Sequence, residues 1–155
     1  MDIELIEVLA EAIHERYRTM DPESATCSQV ARRGWHDLTG EEKEANRAQA
    51  RDIENKLMAI GYEIVSCEGP VQPTQLPDEI VEALARTEHD RWMRQKVQDG
   101  WQHGSKLDTA AKVHELIVPY DQLTEAQRDL DRDSIRQIPS LLALVRLRSQ
   151  AFDRG

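Results

Sequence analysis

The sequence predicts a mainly α-helical fold with a small β element, built as a tandem pair of helical repeats with quasi-twofold symmetry. Two internal matches indicate the repeat. Residues 9–17 return 75 positions later as residues 84–92. A second block that begins at Trp35 returns at Tyr120, 85 positions later, so the second copy carries ten more residues between its blocks. Because self-similarity along a chain is the signature of repeated structural units, we expect two related halves.

The first copy is predicted to contain two helices and a short strand. Apolar residues recur at steps of three and four along the first helix, as they do on one face of an amphipathic helix. They are Ile3, Ile6, Ala10, Ile13, Tyr17 and Met20. The pair Asp21-Pro22 should end this helix, because a residue before proline is pushed out of the helical conformation. Thr39, followed three residues later by Glu42, is typical of a capping box and predicts a second helix. Gly61 is suited to end that helix, ahead of a short strand at 62–65.

The second copy follows a proline-rich segment at 69–77. Asp78 is predicted to cap a third helix, which Gly100 should end. The apolar residues of this helix are Ile80, Leu84, Trp92 and Val97. Residues 101–104 and 116–120 are expected to pair as a small two-stranded ribbon.

The last helical region begins where Thr124 and Gln127 repeat the capping pattern. Pro139 lies inside this region and predicts a kink or a restart, because proline lacks the amide that the helical ladder needs. The chain is therefore divided into a degenerate copy at 1–66, a linker at 67–77 and a complete copy at 78–155. Each copy is too short to bury an adequate core alone, so we expect the two to pack as one globular unit.

Composition limits the class of function. The formal charge of −9, from 29 acidic and 20 basic residues, opposes a surface for nucleic acid or anionic membrane. No run of apolar residues reaches the ~20 needed to cross a bilayer, and we expect a cytoplasmic protein. The sequence contains no phosphate-binding glycine loop, no nucleophile elbow and no metal-ligand spacing of histidine or cysteine. These patterns predict neither an enzyme nor a metal or cofactor site.

Four motifs of the second copy occur in a recognisable order. They are His89-Asp90-Arg91-Trp92, then Gly100-Trp101-Gln102-His103-Gly104, then the segment 116–123, then Asp131-Arg132-Asp133. Together they resemble the ryanodine receptor repeat (RyR) domain over about residues 78–148. Pro139 is similar to the prokaryotic branch, which implies a bacterial or phage protein. The first copy departs from the family pattern because it lacks the glycine-tryptophan turn.

The resemblance implies a binding or sensing module rather than an enzyme. In the family, paired repeats form a cleft, and in the channels this cleft looks like a site for adenine nucleotides and drug-like ligands. There the tryptophans of the glycine-tryptophan turns stack on the ligand. The expected partner is therefore a small molecule, such as an adenine nucleotide or a nucleotide-derived signal. Two alternatives stay open: an interaction module or homodimer whose groove binds a peptide or helix, and, as a weaker one, a small nucleotide-processing enzyme.

The candidate ligand-binding residues combine stacking surfaces with hydrogen-bond donors. They are Trp101, Trp92, Tyr120, Arg132, His89 and His103 in the second copy, and Tyr17, Trp35, Arg47 and His14 in the first. Aromatic rings suit a planar base, and guanidinium forks suit phosphate. The alternative roles are core packing for the aromatic rings, a helix-to-loop bond for His14 and His89, and internal salt bridges for the arginines. Trp101, beside Gly100 in the longer segment, is the principal candidate for ligand stacking.

Overall fold

The computed structural model describes residues 1–19 and 33–152, and the chain divides into two compact units. Unit 1 comprises Met1–Leu76 and Gln137–Gly155, and unit 2 comprises Pro77–Arg136. The helices are α1 (Ile3–Thr19), α2 (Gly40–Ala59), α3 (Asp78–Gln98), α4 (Glu125–Arg136) and α5 (Ile138–Leu144). The strands are β1 (Tyr62–Ser66), β2 (Gln102–His103), β3 (Val113–His114) and β4 (Leu147–Ala151). The prediction of a mainly helical fold with a small β element is confirmed.

Unit 1 is built on the packing of α1 against α2. Its buried side chains include Leu9, Ala10, Ile13, Ile53, Leu57 and Leu142. The strand β1 pairs antiparallel with β4, so that Tyr62 lies opposite Ala151. The final strand of the chain therefore belongs to the unit that contains the first residues.

Unit 2 is built on the packing of α3 against α4. Its buried apolar side chains include Val81, Leu84, Ala85, Leu123 and Ile135. The two-residue strands β2 and β3 pair in parallel, with Gln102 opposite Val113. This small sheet positions the segment that follows α3.

The predicted helix boundaries are confirmed where the pattern is local. Thr39 and Glu42 form a reciprocal capping box, and the hydrogen bonds between Thr124 and Gln127 have the same geometry. Gly61 ends α2 with a φ of +79°, a conformation that favours glycine. Pro139 lies in the first turn of α5, so the helical region restarts there rather than continuing from α4.

Other expectations were wrong in detail. Pro77 precedes α3 and no side chain caps it, so Asp78 is its first residue and not its cap. Ile3 and Val97 are 84% and 55% exposed, because each lies near a helix end, beyond the packed part of its face. The ribbon partner of β2 is Val113–His114 rather than 116–120. Met20 and Asp21-Pro22 lie outside the described residues. Within 1–19 and 33–152, no helix combines the length and the apolar character that crossing a bilayer demands.

Candidate functional site

The end of α3 brings two tryptophans together in unit 2. Trp92 and Lys96 are four residues apart, so they lie on the same side of the helix. Gly100 has a φ of +90° and reverses the chain after α3. The Trp101 amide donates to the Lys96 carbonyl at 2.9 Å, and the Gly100 amide donates to the Val97 carbonyl at 3.1 Å. This pair of bonds is a Schellman motif, which needs glycine at its left-handed position. The motif folds Trp101 back toward the last turns of α3.

The resulting arrangement, which we call the tryptophan surface, consists of Trp92, Trp101, His114 and Lys96. The Lys96 ammonium lies 4.5 Å from the centre of the Trp101 ring and 6.0 Å from that of Trp92. The His114 ring meets Trp92 edge-on at 5.0 Å and lies 6.1 Å from Trp101. Both tryptophans are half-buried, so part of each indole faces solvent. The surface thus offers aromatic area beside a positive charge.

His114 is the buried member of the tryptophan surface, with 8% of its area exposed. The Leu116 amide donates to its Nδ1 at 3.1 Å, so Nδ1 carries no proton. Burial, together with the nearby Lys96 charge, lowers the pKa of His114 to about 4. This imidazole is therefore neutral at pH 7.

His89 also contacts Trp92, and its pKa is shifted in the opposite direction to that of His114. Its ring stacks on Trp92 at 5.7 Å and is 2% exposed. Nε2 donates to the Val118 carbonyl at 2.7 Å, and Nδ1 lies 3.2 Å from the Asp131 carboxylate. Burial acts to lower the pKa of His89, but the hydrogen bonds to Asp131 and Val118 outweigh it and raise the pKa. Both ring nitrogens face oxygen atoms, and this geometry favours the imidazolium.

Tyr120, Glu82 and Arg132 form a second polar cluster in unit 2. The Tyr120 hydroxyl donates to Glu82 at 3.0 Å, and Arg132 Nε donates to the other Glu82 oxygen at 2.6 Å. Arg132 also donates to Glu125 at 2.9 Å, and the bonds to Glu82 and Glu125 raise the pKa of Arg132. The Arg132 guanidinium is thus engaged by two carboxylates of its own unit.

Unit 1 contains the same kind of contacts. Arg47 donates two hydrogen bonds, of 2.7 and 3.0 Å, to the Glu7 carboxylate, and these bonds lower the pKa of Glu7. The Trp35 ring lies 5.9 Å from the Arg47 guanidinium and 6.3 Å from the His14 ring. His14 Nε2 donates to the Arg33 carbonyl at 2.5 Å, as His89 does to a carbonyl in unit 2. The internal salt bridge and the histidine-to-loop bond, both alternatives drawn from the sequence, are thus present in each unit.

The ten residues proposed from the sequence fall into three groups in the structure. Trp92 and Trp101 meet on the tryptophan surface. Six side chains make internal contacts: Tyr120, Arg132 and His89 in unit 2, and Trp35, Arg47 and His14 in unit 1. The remaining two do not join either set of contacts described above: His103 is exposed on β2, opposite His114, and Tyr17 is 41% exposed near the end of α1. We assign the buried rings of Tyr120, Trp35, His89 and His14 to the cores of their units.

Sequence reasoning missed four residues of these arrangements. Lys96 and His114 complete the tryptophan surface, and Glu7 and Glu82 hold the two arginines. A signal for the glutamates was present, because Glu82 follows Glu7 by the same 75 positions that separate the histidines. For Lys96 the signal was its place one helical turn after Trp92. His114 has no comparable local signal. In the part of the chain that the structure describes, no group of His, Cys, Asp and Glu is arranged to hold a metal ion.

Comparison with known families covers the unit that carries this surface. Residues 71–148, half of the chain, match the family model of the RyR domain. The chain belongs to the RyR domain family. The match includes all of unit 2 and confirms the resemblance carried by the motifs from His89 to Asp133. It places Trp92, Trp101 and His114 within the RyR domain.

Proposed function

We propose that this RyR domain is a small-molecule binding module that holds a nucleotide-like ligand on the tryptophan surface. The observation that carries the proposal is the position of the Lys96 ammonium, 4.5 Å from the Trp101 ring centre. A base stacked near that indole brings its phosphates close to a positive charge. Stacking of a base on an aromatic ring contributes about 1–3 kcal/mol, and lysine binds phosphate as a point charge.

We choose Lys96 as the phosphate contact because its ammonium lies 4.5 Å from the Trp101 ring centre and 6.0 Å from that of Trp92. Arg132 and Arg47 are bound to carboxylates of their own units and do not lie beside these two rings. His114 is neutral at pH 7 and meets Trp92 edge-on. We therefore assign stacking to Trp101 and Trp92, and phosphate attraction to Lys96.

We further propose that unit 1 contains a diverged copy of the repeat, the first of the two. The proposal is supported by three contacts of unit 1 that recur at the matching positions of unit 2: Arg47 with Glu7, His14 with a loop carbonyl, and the His14 ring with Trp35. The sequence of the first copy lacks the ten extra residues that the second copy carries between its blocks, so we do not assign an equivalent ligand surface to unit 1.

The test is a thermal-shift and calorimetric titration with adenosine, AMP, ATP, cyclic nucleotides and ADP-ribose. A ligand present at 100 times its dissociation constant stabilises the folded protein by about 2.7 kcal/mol, so the melting temperature should rise. Trp101→Ala should weaken binding about 5- to 150-fold, the equivalent of the 1–3 kcal/mol of a stacking contact. Val97→Ala, at an exposed position of the same helix end, is the control and should bind normally.

Lys96→Gln separates phosphate attraction from stacking. It should weaken ATP binding more than adenosine binding, whereas Lys106→Gln, at an exposed position of the same unit, should change neither. No melting shift with any of these compounds at millimolar concentration contradicts the proposal. Recovery of a protein partner would then favour the interaction module, and conversion of a nucleotide on long incubation would favour the enzyme.

A further inference from the structure

The His114 ring joins the two tryptophans of the proposed site, and one hydrogen bond fixes its orientation. The ring lies 5.0 Å from Trp92 and 6.1 Å from Trp101. The Leu116 amide donates to Nδ1 at 3.1 Å, which requires an unprotonated nitrogen at that position. A proton on Nδ1 turns this acceptor into a donor that faces another donor. Protonation is therefore incompatible with the observed packing of the ring.

We propose that His114 makes the tryptophan surface acid-sensitive: protonation of Nδ1 breaks the bond from Leu116 and releases the ring from between Trp92 and Trp101, so that ligand is lost in acid. This regulation rests on the binding function proposed above. In this proposal His114 does not contact the ligand. It responds to pH from within the binding site, by positioning Trp92 and Trp101.

The charged and titratable groups near His114 are of both signs. They are Lys96 and His89 on α3, His103 on β2, Asp108 in the turn that bonds to Val113, and Lys112 and Glu115 beside His114 in the chain. Lys96 lies over both indoles, and its charge acts with burial to keep the His114 imidazole neutral. His89, whose hydrogen bonds favour the imidazolium, stacks on Trp92. The acids nearest in sequence, Asp108 and Glu115, are not among the groups that shift the His114 titration.

The size of the effect follows from the two environments of the ring. The closed site holds the pKa of His114 at about 4, whereas a solvated histidine titrates near 6.5. Between these two pH values, His114 binds a proton when the site opens and releases it when the site closes. By linkage, the ratio of open to closed molecules rises about twenty-fold from pH 7 to pH 5.

Hydrogen exchange of the Leu116 amide measures this opening directly, without any ligand. Its protection factor should fall about twenty-fold between pH 7 and pH 5 in the wild-type protein. His114→Asn places an amide oxygen near the position of Nδ1 and does not titrate, so its protection factor should not fall. His103→Asn, at the neighbouring position on β2, is the control and should behave as the wild type does. A constant protection factor in the wild type, or an equal fall in His114→Asn, overturns the proposal.

A second comparison within the wild type covers the case in which His114→Asn does not fold. The Leu123 amide, which donates to the Tyr120 carbonyl in the same unit, reports opening elsewhere. Local release of His114 requires a larger fall at Leu116 than at Leu123, and equal falls indicate unfolding of the whole unit and overturn the proposal. ATP affinity at pH 7 and pH 5 supplies the functional arm: it should decline more in the wild type than in His114→Asn. If ATP binds at neither pH, the binding function fails, while the exchange result still decides the acid response.

Discussion

The pairing of His89 with Asp131 gives a stability prediction with a defined pH dependence. His89 is 2% exposed and donates from both ring nitrogens, to Asp131 and to the Val118 carbonyl. Asp131→Asn removes the carboxylate and leaves an amide in its place. A hydrogen bond to a charged group contributes about 1.5–3 kcal/mol. A protonated ring can lose its proton in the variant, which limits the cost, so we expect about 2 kcal/mol of lost stability at pH 6.5.

The pH dependence follows from the raised pKa of His89. A group with a raised pKa in the folded state contributes its full stability below its unfolded pKa of about 6.5. That contribution is lost as the pH rises through the folded value. Burial raises the pKa of the Asp131 carboxyl, so both measurements are made at pH 6.5 or above, where this carboxyl contributes least to the pH dependence. The cost of Asp131→Asn should therefore shrink from about 2 kcal/mol at pH 6.5 to about 1 kcal/mol or less at pH 9.

Urea unfolding at pH 6.5 and pH 9 provides the measurement, and an NMR titration of the His89 ring provides an independent one. Asp133→Asn, two positions away on α4 in an exposed ion pair with Arg136, is the matched control and should cost no more than about 0.5 kcal/mol. The ring pKa should fall in Asp131→Asn and stay unchanged in Asp133→Asn. The same cost at both pH values, together with an unchanged ring titration, would refute the assignment of His89 as an imidazolium.

Three further changes test local features by urea unfolding. Thr39→Ala removes the capping oxygen of α2 and should cost about 1 kcal/mol; a cost near zero would mean that the capping box adds nothing to stability. Gly104→Ala places a Cβ in a clash with a Val113 methyl carbon, so the small sheet must shift at a cost of about 1–3 kcal/mol. An unchanged unfolding midpoint would disprove this close approach. In Gly61→Ala the added Cβ meets no neighbour, but an L residue is forced to a φ of +79°, at a cost of about 1–2 kcal/mol. The control is Gly40→Ala in the first turn of α2, where the added Cβ also meets no neighbour and the change should be neutral or stabilising.

The features that the sequence predicted correctly depend on residues close together in the chain. Thr39 and Glu42 cap α2 because both partners lie within four residues, and no distant contact has to agree. Gly61 and Gly100 end their helices for the same reason, since only the backbone conformation of one residue is involved. Short-range chemistry of this kind is readable from a single sequence.

Contacts between distant residues could not be predicted in the same way. The strand β4, Leu147–Ala151, contains arginine, serine and glutamine and shows no clear alternation of apolar residues, so nothing in it indicates a strand. It forms because β1, more than 80 residues earlier, offers a pairing edge. The bond between Arg132 and Glu82 likewise joins residues 50 positions apart. Sequence reasoning noted the arginine and had no means of choosing between a phosphate and an internal acid.

The comparison of the two units separates residues that maintain the fold from residues available for binding. In unit 1, Arg47 bonds to Glu7 and the His14 ring meets Trp35, and both contacts recur in unit 2. The sequence of the first copy has no counterpart of the ten extra residues of the second, so these shared contacts do not depend on that extension. Trp101 and His114, by contrast, lie between the repeated blocks, where the second copy is ten residues longer. The Schellman motif positions Trp101, and the two-residue sheet positions His114. Neither feature takes part in the contacts that the two units share. Substitutions on the tryptophan surface should therefore weaken ligand binding with little loss of folding stability. Substitutions in the recurring contacts should lower folding stability with little direct effect on ligand binding.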